Sequence, residues 1–439
     1  MCDSILSGTM ALIDKGNFET SEYIKEPCKR TGCDFSFYDG KIYSGYAPGA
    51  SVIAVPIYAV AKPFFDVFIP ENFLGYSKIR ISINLLNALA TIFLVALLSA
   101  FTATLIYKFL GYIVSKKKDR LWITFIFSFG TLFFIYSTGY FIRVISGIIL
   151  FCIFYILYLM KTNRIKINKK NLFLTGFLSS SAVTIEYSSV LVVGLLFIYL
   201  ISFFRDKRII YYIIGSIFPV ILLLIYHFFI FGDFFVSAYQ YHLNWNAQET
   251  VAEKELEFPN KERLWGLSFS PEKGYFFFMP IMLLSLLGLF IGFKERKIRH
   301  ELILIALAFT VVFIFTASLS GSWKGNDAFG PRYLVHTIPF FIIPSVFMIE
   351  RIPRITKTIG IVSIFINSLP VMFGSPTGST LPNSIFQKFI PLLFEKGLKN
   401  YTLNLIDLKI FKLGDVTINI IMIISLLIIS GIVYLIWKK

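Results

Sequence analysis

Charge is scarce in this sequence. Only 15% of its 439 residues are Asp, Glu, Lys or Arg, against about 25% in a soluble globular domain. Histidine and cysteine number four each. The histidines (His227, His242, His300 and His336) have no ligand spacing, and with so few cysteines this argues against a zinc site. Cys152 lies in an apolar run and reads as packing. Cys28 and Cys33 share a polar segment expected outside the cytoplasm, where a disulfide can form. There is no Walker A loop, dinucleotide fingerprint, serine nucleophile elbow or metal-binding His pair, which argues against an ATP-driven pump. No internal repeat, low-complexity tract or heptad stands out.

What the chain has is hydrocarbon. Hydrophobic residues make up 56% of it, with 49 Phe, and the mean hydropathy is +0.72. These values define a multi-pass membrane protein. The expected fold is an all-α polytopic helical bundle with small extracytoplasmic loops, about ten or eleven apolar runs being long enough to count as spans. They fall at 81–107, 121–140, 144–160, 209–231, 275–293, 301–319, 333–349, 355–373 and 416–437. The run 172–204 is too long for one helix, and Glu186-Tyr187 marks its middle, so two short helices should turn there. The run 50–68 contains Pro56, Lys62 and Pro63 and reads as an interfacial helix rather than a clean span.

The net charge of +16 reports orientation, not a nucleic-acid partner. Lys and Arg cluster in short loops: 116–120, 161–170, 205–208, 294–299, 351–357 and 438–439. All fall on one side if 172–204 crosses twice, and the positive-inside rule makes that side the cytoplasm. The division expected is an external segment 1–77 with an interfacial helix, a transmembrane core 78–375 with an external loop 233–272, and a region 376–439 holding an external surface segment and the last span. The polar, charged segment 1–77 would need to be carried across, so a first span upstream of Met1 is expected.

Intramembrane charge is a functional hypothesis by default. Arg143 lies in a tight turn between spans, Glu186 at the hairpin bend and Arg332 after Gly330-Pro331. By the topology above all three face the external surface. Arg332 lies in the turn-rich stretch 320–334, with Pro331 suited to the first turn of the next span. Its planar fork matches a phosphate, although an interfacial Arg can also merely snorkel. Glu186 can pair with an arginine inside the bundle. Asp39-Gly40 reads as a turn followed by a short extended piece. Aromatics at this level ordinarily form an interfacial belt.

Short motifs recur in order along most of the chain: Gly40-Lys41-Ile42-Tyr43-Ser44 with Pro48-Gly49 and Pro56, Gly130-Thr131 with Tyr136-Ser137, and Glu186-Tyr187. Tyr226 through Phe231-Gly232-Asp233 follows, then Lys273-Gly274-Tyr275 with Pro280, and Trp323 with Gly330-Pro331-Arg332-Tyr333-Leu334. In this the chain resembles the GT-C superfamily of multi-pass glycosyltransferases, in the branch of protein O-mannosyltransferases and aminoarabinose transferases. The resemblance implies sugar transfer from a polyprenyl-phosphate donor to a glycan, lipid or protein acceptor on the external face of the bilayer. It implies a catalytic base in the first external loop. Asp3, ahead of Ala11 and Gly16-Asn17-Phe18, matches that position, with Asp39 the alternative. Arg332 and Arg143 would bind phosphate, and Glu186, Tyr43 and Trp323 would contact substrate. No cofactor is assigned, and a divalent metal is left open. The competing reading is a non-enzymatic flippase or transporter of lipid-linked sugars.

Overall fold

The computed structural model describes residues 2–24, 34–73, 75–244, 249–251, 256–295, 298–326, 328–373, 383–396 and 424. Helix α1 (Cys2–Lys15) opens the chain. A hairpin of β1 (Phe35–Tyr38) and β2 (Lys41–Ser44) follows, then α2 (Gly49–Phe68) and a short pair, β3 (Asn72–Phe73) and β4 (Tyr76–Ser77). Helices α3 (Lys78–Ala90) and α4 (Leu97–Leu110) continue through a π-helical turn as one 33-residue rod. Next come α5 (Lys117–Phe129), α6 (Leu132–Tyr136), α7 (Ile142–Lys161), α8 (Lys169–Ile185), α9 (Ser189–Phe203) and α10 (Ile210–Phe231). Strands β5 (His242–Asn244) and β6 (Glu249–Val251) and helices α11 (Lys261–Ser268), α12 (Tyr275–Phe278), α13 (Ile281–Glu295) and α14 (Arg299–Ser318) lead to a 3-10 turn, Arg332–Thr337. The remaining described helices are α15 (Ile338–Phe341), α16 (Ser345–Arg351), α17 (Pro353–Met372) and α18 (Ile390–Lys396).

The molecule is mostly helical, and six helices among the described residues are long and apolar enough to cross a membrane, or seven if the pair bent by 54° at 342–344 is one span. This is fewer than the apolar runs suggested, for local reasons. The run 121–140 breaks at Gly130, where Thr131 turns extended and its Oγ1 accepts from the Phe133 N–H to start α6. Pro280 breaks 275–293 into α12 and α13, since its ring cannot continue the helix before it. The hairpin expected in 172–204 forms, with Glu186 as the C-cap of α8. The last expected span, 416–437, lies outside the described residues apart from 424, as do Cys28 and Cys33.

Three features of the fold bear on these expectations. The run at 50–68 is a regular 20-residue helix of spanning length and composition, with Pro56 and Pro63 inside it. Apolar helices tolerate proline where neighbours and local adjustment satisfy the freed carbonyls. The all-α description omits a small four-stranded antiparallel sheet, ordered β2-β1-β5-β6. The segment 1–77 is also not set apart from the bundle. Ile5, Leu6, Met10, Ala50 and Ala54 share one continuous core with Phe151, Phe341 and Phe389. Small hydroxyls join α1 to α2: Thr9 Oγ1 donates to the Ser51 carbonyl (2.9 Å), and Ser51 Oγ to that of Ile5 (2.8 Å).

The described basic loops meet at one end of this bundle. Arg351 pairs with Glu295 at 2.8 Å, Lys161 with Glu301 at 2.7 Å, and Arg208 Nη1 donates to the Ile167 carbonyl at 3.1 Å. The sheet, the α8 to α9 bend and the 320–334 turn belong to the opposite end, where Arg143 and Arg332 lie.

Candidate functional site

Arg143 stands in the first turn of α7 and Glu186 at the C-cap of α8. Both are almost fully buried, and Arg143 Nη2 approaches Glu186 Oε2 at 3.4 Å. The other carboxylate oxygen of Glu186 accepts from Ser188 Oγ at 3.0 Å. Arg332 opens the 3-10 turn, and its side chain lies over Gly325, where a Cβ would come within 2.9 Å of Arg332 Cγ. Gly325 has φ +67°, so glycine suits that position twice over. Tyr333 links the two arginines: the Arg143 guanidinium carbon lies 4.4 Å from its ring centroid, and that of Arg332 5.3 Å. The three charges read from separate loops are thus brought together.

The guanidinium donors are incompletely used. Among the described residues, Arg143 Nε and Nη1 and Arg332 Nε are buried without a hydrogen-bond partner. A buried charge with unmet donors is costly, and an anion with several acceptor oxygens would satisfy them. Aromatic hydroxyls ring the cluster. Tyr239 approaches Tyr187 and Tyr46 with ring centroids 5.7 and 6.2 Å away, and Tyr136 donates to the Phe329 carbonyl at 2.8 Å. Lys273 holds the approach to Arg332 by donating to the carbonyls of Asn326 (2.8 Å) and Ala328 (2.5 Å).

A carboxylate that the sequence did not single out joins this group. Asp34 precedes β1, its carbonyl accepts from Gly45 N at 2.9 Å, and its side chain neighbours Arg332 and Tyr46. Burial pushes the Asp34 carboxyl up, yet nearby positive charge, Arg332 included, and the Tyr46 hydroxyl outweigh it and hold the group below its ordinary value. Burial, reinforced by the Asp34 charge, pushes the Tyr46 hydroxyl well above its ordinary value, so it stays a donor. Antiparallel pairing of Phe35 with Ser44 sets Asp34 beside Gly45. That register was available from the Asp39-Gly40 turn; the proximity to Arg332 was not.

The other expected site residues fall elsewhere. Asp3, on the first turn of α1, pairs with Arg80 at 2.5 Å, both side chains about half exposed. Asp39 is exposed at the tip of the hairpin with φ 48°, followed by Gly40 at 73°. Two positive φ values are what a two-residue hairpin turn requires, so turn geometry accounts for the Asp-Gly pair. Neither carboxylate contacts Arg143 or Arg332. Tyr43 is buried against Phe231, with ring centroids 6.2 Å apart. Trp323 packs with Leu267 and Ala317, and its indole lies where a side chain on Gly266 would be. Both aromatics are packed against neighbouring side chains. Among the described residues no group of three or more His, Cys, Asp or Glu is arranged to hold a metal ion. Models of known protein families give no match to this chain, and no curated protein matches it.

Proposed function

We propose that this protein is an integral membrane glycosyltransferase moving a sugar from a polyprenyl-phosphate donor to an acceptor. Its basic loops would lie in the cytoplasm and its reaction would occur at the opposite, external end of the bundle. The observation that carries this reading is the pair of arginines around Tyr333, Arg143 buried and Arg332 half-buried, with unmet buried donors and with a carboxylate, Asp34, near Arg332.

The chemistry follows from these groups. The acceptor hydroxyl oxygen forms a bond to the anomeric carbon as the bond from that carbon to the phosphate oxygen breaks. The electron pair leaves with the phosphate, and the hydroxyl proton passes to Asp34. Protonating Asp34 removes its negative charge from beside Arg332, which frees that guanidinium for the departing phosphate. Arg143, held by Glu186, would supply further stabilisation.

The test is sugar release from radiolabelled polyprenyl-phosphate sugars by the purified protein. Arg332→Ala should abolish release while the protein stays folded in the membrane. Asp34→Asn should lower the rate by about 10²–10⁴-fold, the usual worth of a general base, whereas Asp3→Asn and Asp39→Asn should retain activity. Donor binding without release by the unmodified protein would overturn the transferase and leave the flippase. A full rate in Arg332→Ala would remove that residue from the mechanism.

A further inference from the structure

At the basic end of the bundle, the start of α5 and the junction of α16 with α17 enclose a cleft of about 400 Å³. Four lysines line it, Lys116, Lys117, Lys118 and Lys357, against two carboxylates, Asp119 and Glu350. Among the described residues none of the four lysines forms an ion pair. Lys357 lies 5.4 Å from the ring centroid of Trp122, which leaves its charge available. Two helices also begin here, α5 at Lys117 and α17 at Pro353, and their positive dipole ends add to the lysine field. The cleft is therefore cationic beyond its formal charge.

A solvated lysine loop would satisfy the positive-inside rule without forming a cleft. Here the lysines come from two separate loops and converge on one space. The wall formed by α17 continues from Lys357 into an apolar face: Ile361 and Phe365 follow at successive four-residue steps, and both are about half exposed, as is Val362. On a helix this spacing puts the three residues in one row. A charged mouth with an apolar row descending from it matches a molecule with an anionic head and hydrocarbon tails.

We propose that this cleft binds a phospholipid with an anionic headgroup, the headgroup among Lys117, Lys118 and Lys357 and an acyl chain along Ile361 and Phe365. The site is at the opposite end from the arginine cluster and does not depend on the reading of that cluster. Basic pockets between spans recognise anionic lipids by this combination of local charge and depth.

Native mass spectrometry of the full chain in detergent, titrated with phosphatidylglycerol or phosphatidylcholine, tests the assignment. One variant carries Lys117→Gln, Lys118→Gln and Lys357→Gln. A control removes the same charge from the same face outside the cleft, with Lys169→Gln, Lys170→Gln and Lys207→Gln. The unmodified protein and the control should retain one phosphatidylglycerol in preference to phosphatidylcholine, and the cleft variant should hold it on the order of a hundredfold more weakly. Phe365→Asp should weaken it while leaving the lysines intact. Equal loss in control and cleft variants, or no preference for the anionic lipid, would overturn the proposal. So would retention of glycerol phosphate alone equal to that of the lipid, because the apolar row would then have no part.

Discussion

Arg143 and Glu186 illustrate how much a single buried contact is asked to do. Each is almost fully out of water, and their 3.4 Å approach is the only ion pair either makes among the described residues. Removing one partner strands the other, which typically costs about 3–5 kcal/mol. Glu186→Gln should therefore lower stability by that order in denaturant titration of the detergent-solubilised protein. Glu186→Leu combined with Arg143→Met should recover part of the loss, since two apolar groups leave no orphaned charge. If the double variant is no more stable than Glu186→Gln, the pair is not what stabilises this region. Asp34 gives a pH prediction of definite sign. Its carboxyl is held below the ordinary 3.8, so its favourable interactions are complete above that value and are lost as pH falls through the lower folded-state value. Sugar release should stay flat as pH drops from neutral through the usual carboxylate range. A rate that falls with a midpoint above 5 would point to a different base.

At the scale of elements, the closest helix contact is made by glycines. A Cβ on Gly176 of α8 would lie 1.9 Å from the Tyr212 carbonyl oxygen of α10, and one on Gly215 of α10 would lie 2.1 Å from that of Phe173. The two helices approach backbone to backbone, as small residues allow in apolar surroundings. The hydroxyl bond from Tyr212 to Ser179 Oγ (2.8 Å) and that from Ser216 Oγ to the Gly176 carbonyl (3.1 Å) cross the same seam. Gly176→Ala and Gly215→Ala should each destabilise the protein by about 1–3 kcal/mol through overpacking. Gly194 has nothing within 4 Å of its would-be Cβ, and Gly194→Ala should be neutral or slightly stabilising, as alanine favours helix. Melting temperatures of the three variants check this, and equal behaviour would contradict the close seam. This seam also aims Glu186, which caps α8, toward Arg143.

For the whole molecule, the separation of the basic loops from the arginine cluster makes a topological prediction. In a background without native cysteines, Cys placed at Lys118 should react with an impermeant maleimide only from the cytoplasmic side, and Cys at Asp39 only from the external side. Labelling of both from one side would invert or collapse the proposed arrangement, whatever the enzymatic assay gives.

Much of this architecture is written in short-range physics. Apolar runs, breakers such as Gly130 and Pro280, the Asp39-Gly40 turn and the lysine-rich loops are local features, and they determine where helices form, where hairpins turn and which ends are basic. The count of spans was less legible, because a run such as 121–140 is apolar throughout yet broken by backbone geometry at Gly130 and Thr131. Arg143, Glu186 and Arg332 could be picked out individually, since charge in an apolar chain is conspicuous. Their meeting around Tyr333, the pairing of Asp3 with Arg80, and the presence of Asp34 beside Arg332 were decided only by the tertiary structure. A carboxylate in a polar segment carries no local mark of its partners. Its environment is set by which distant elements pack against it, and that is a property of the assembled bundle.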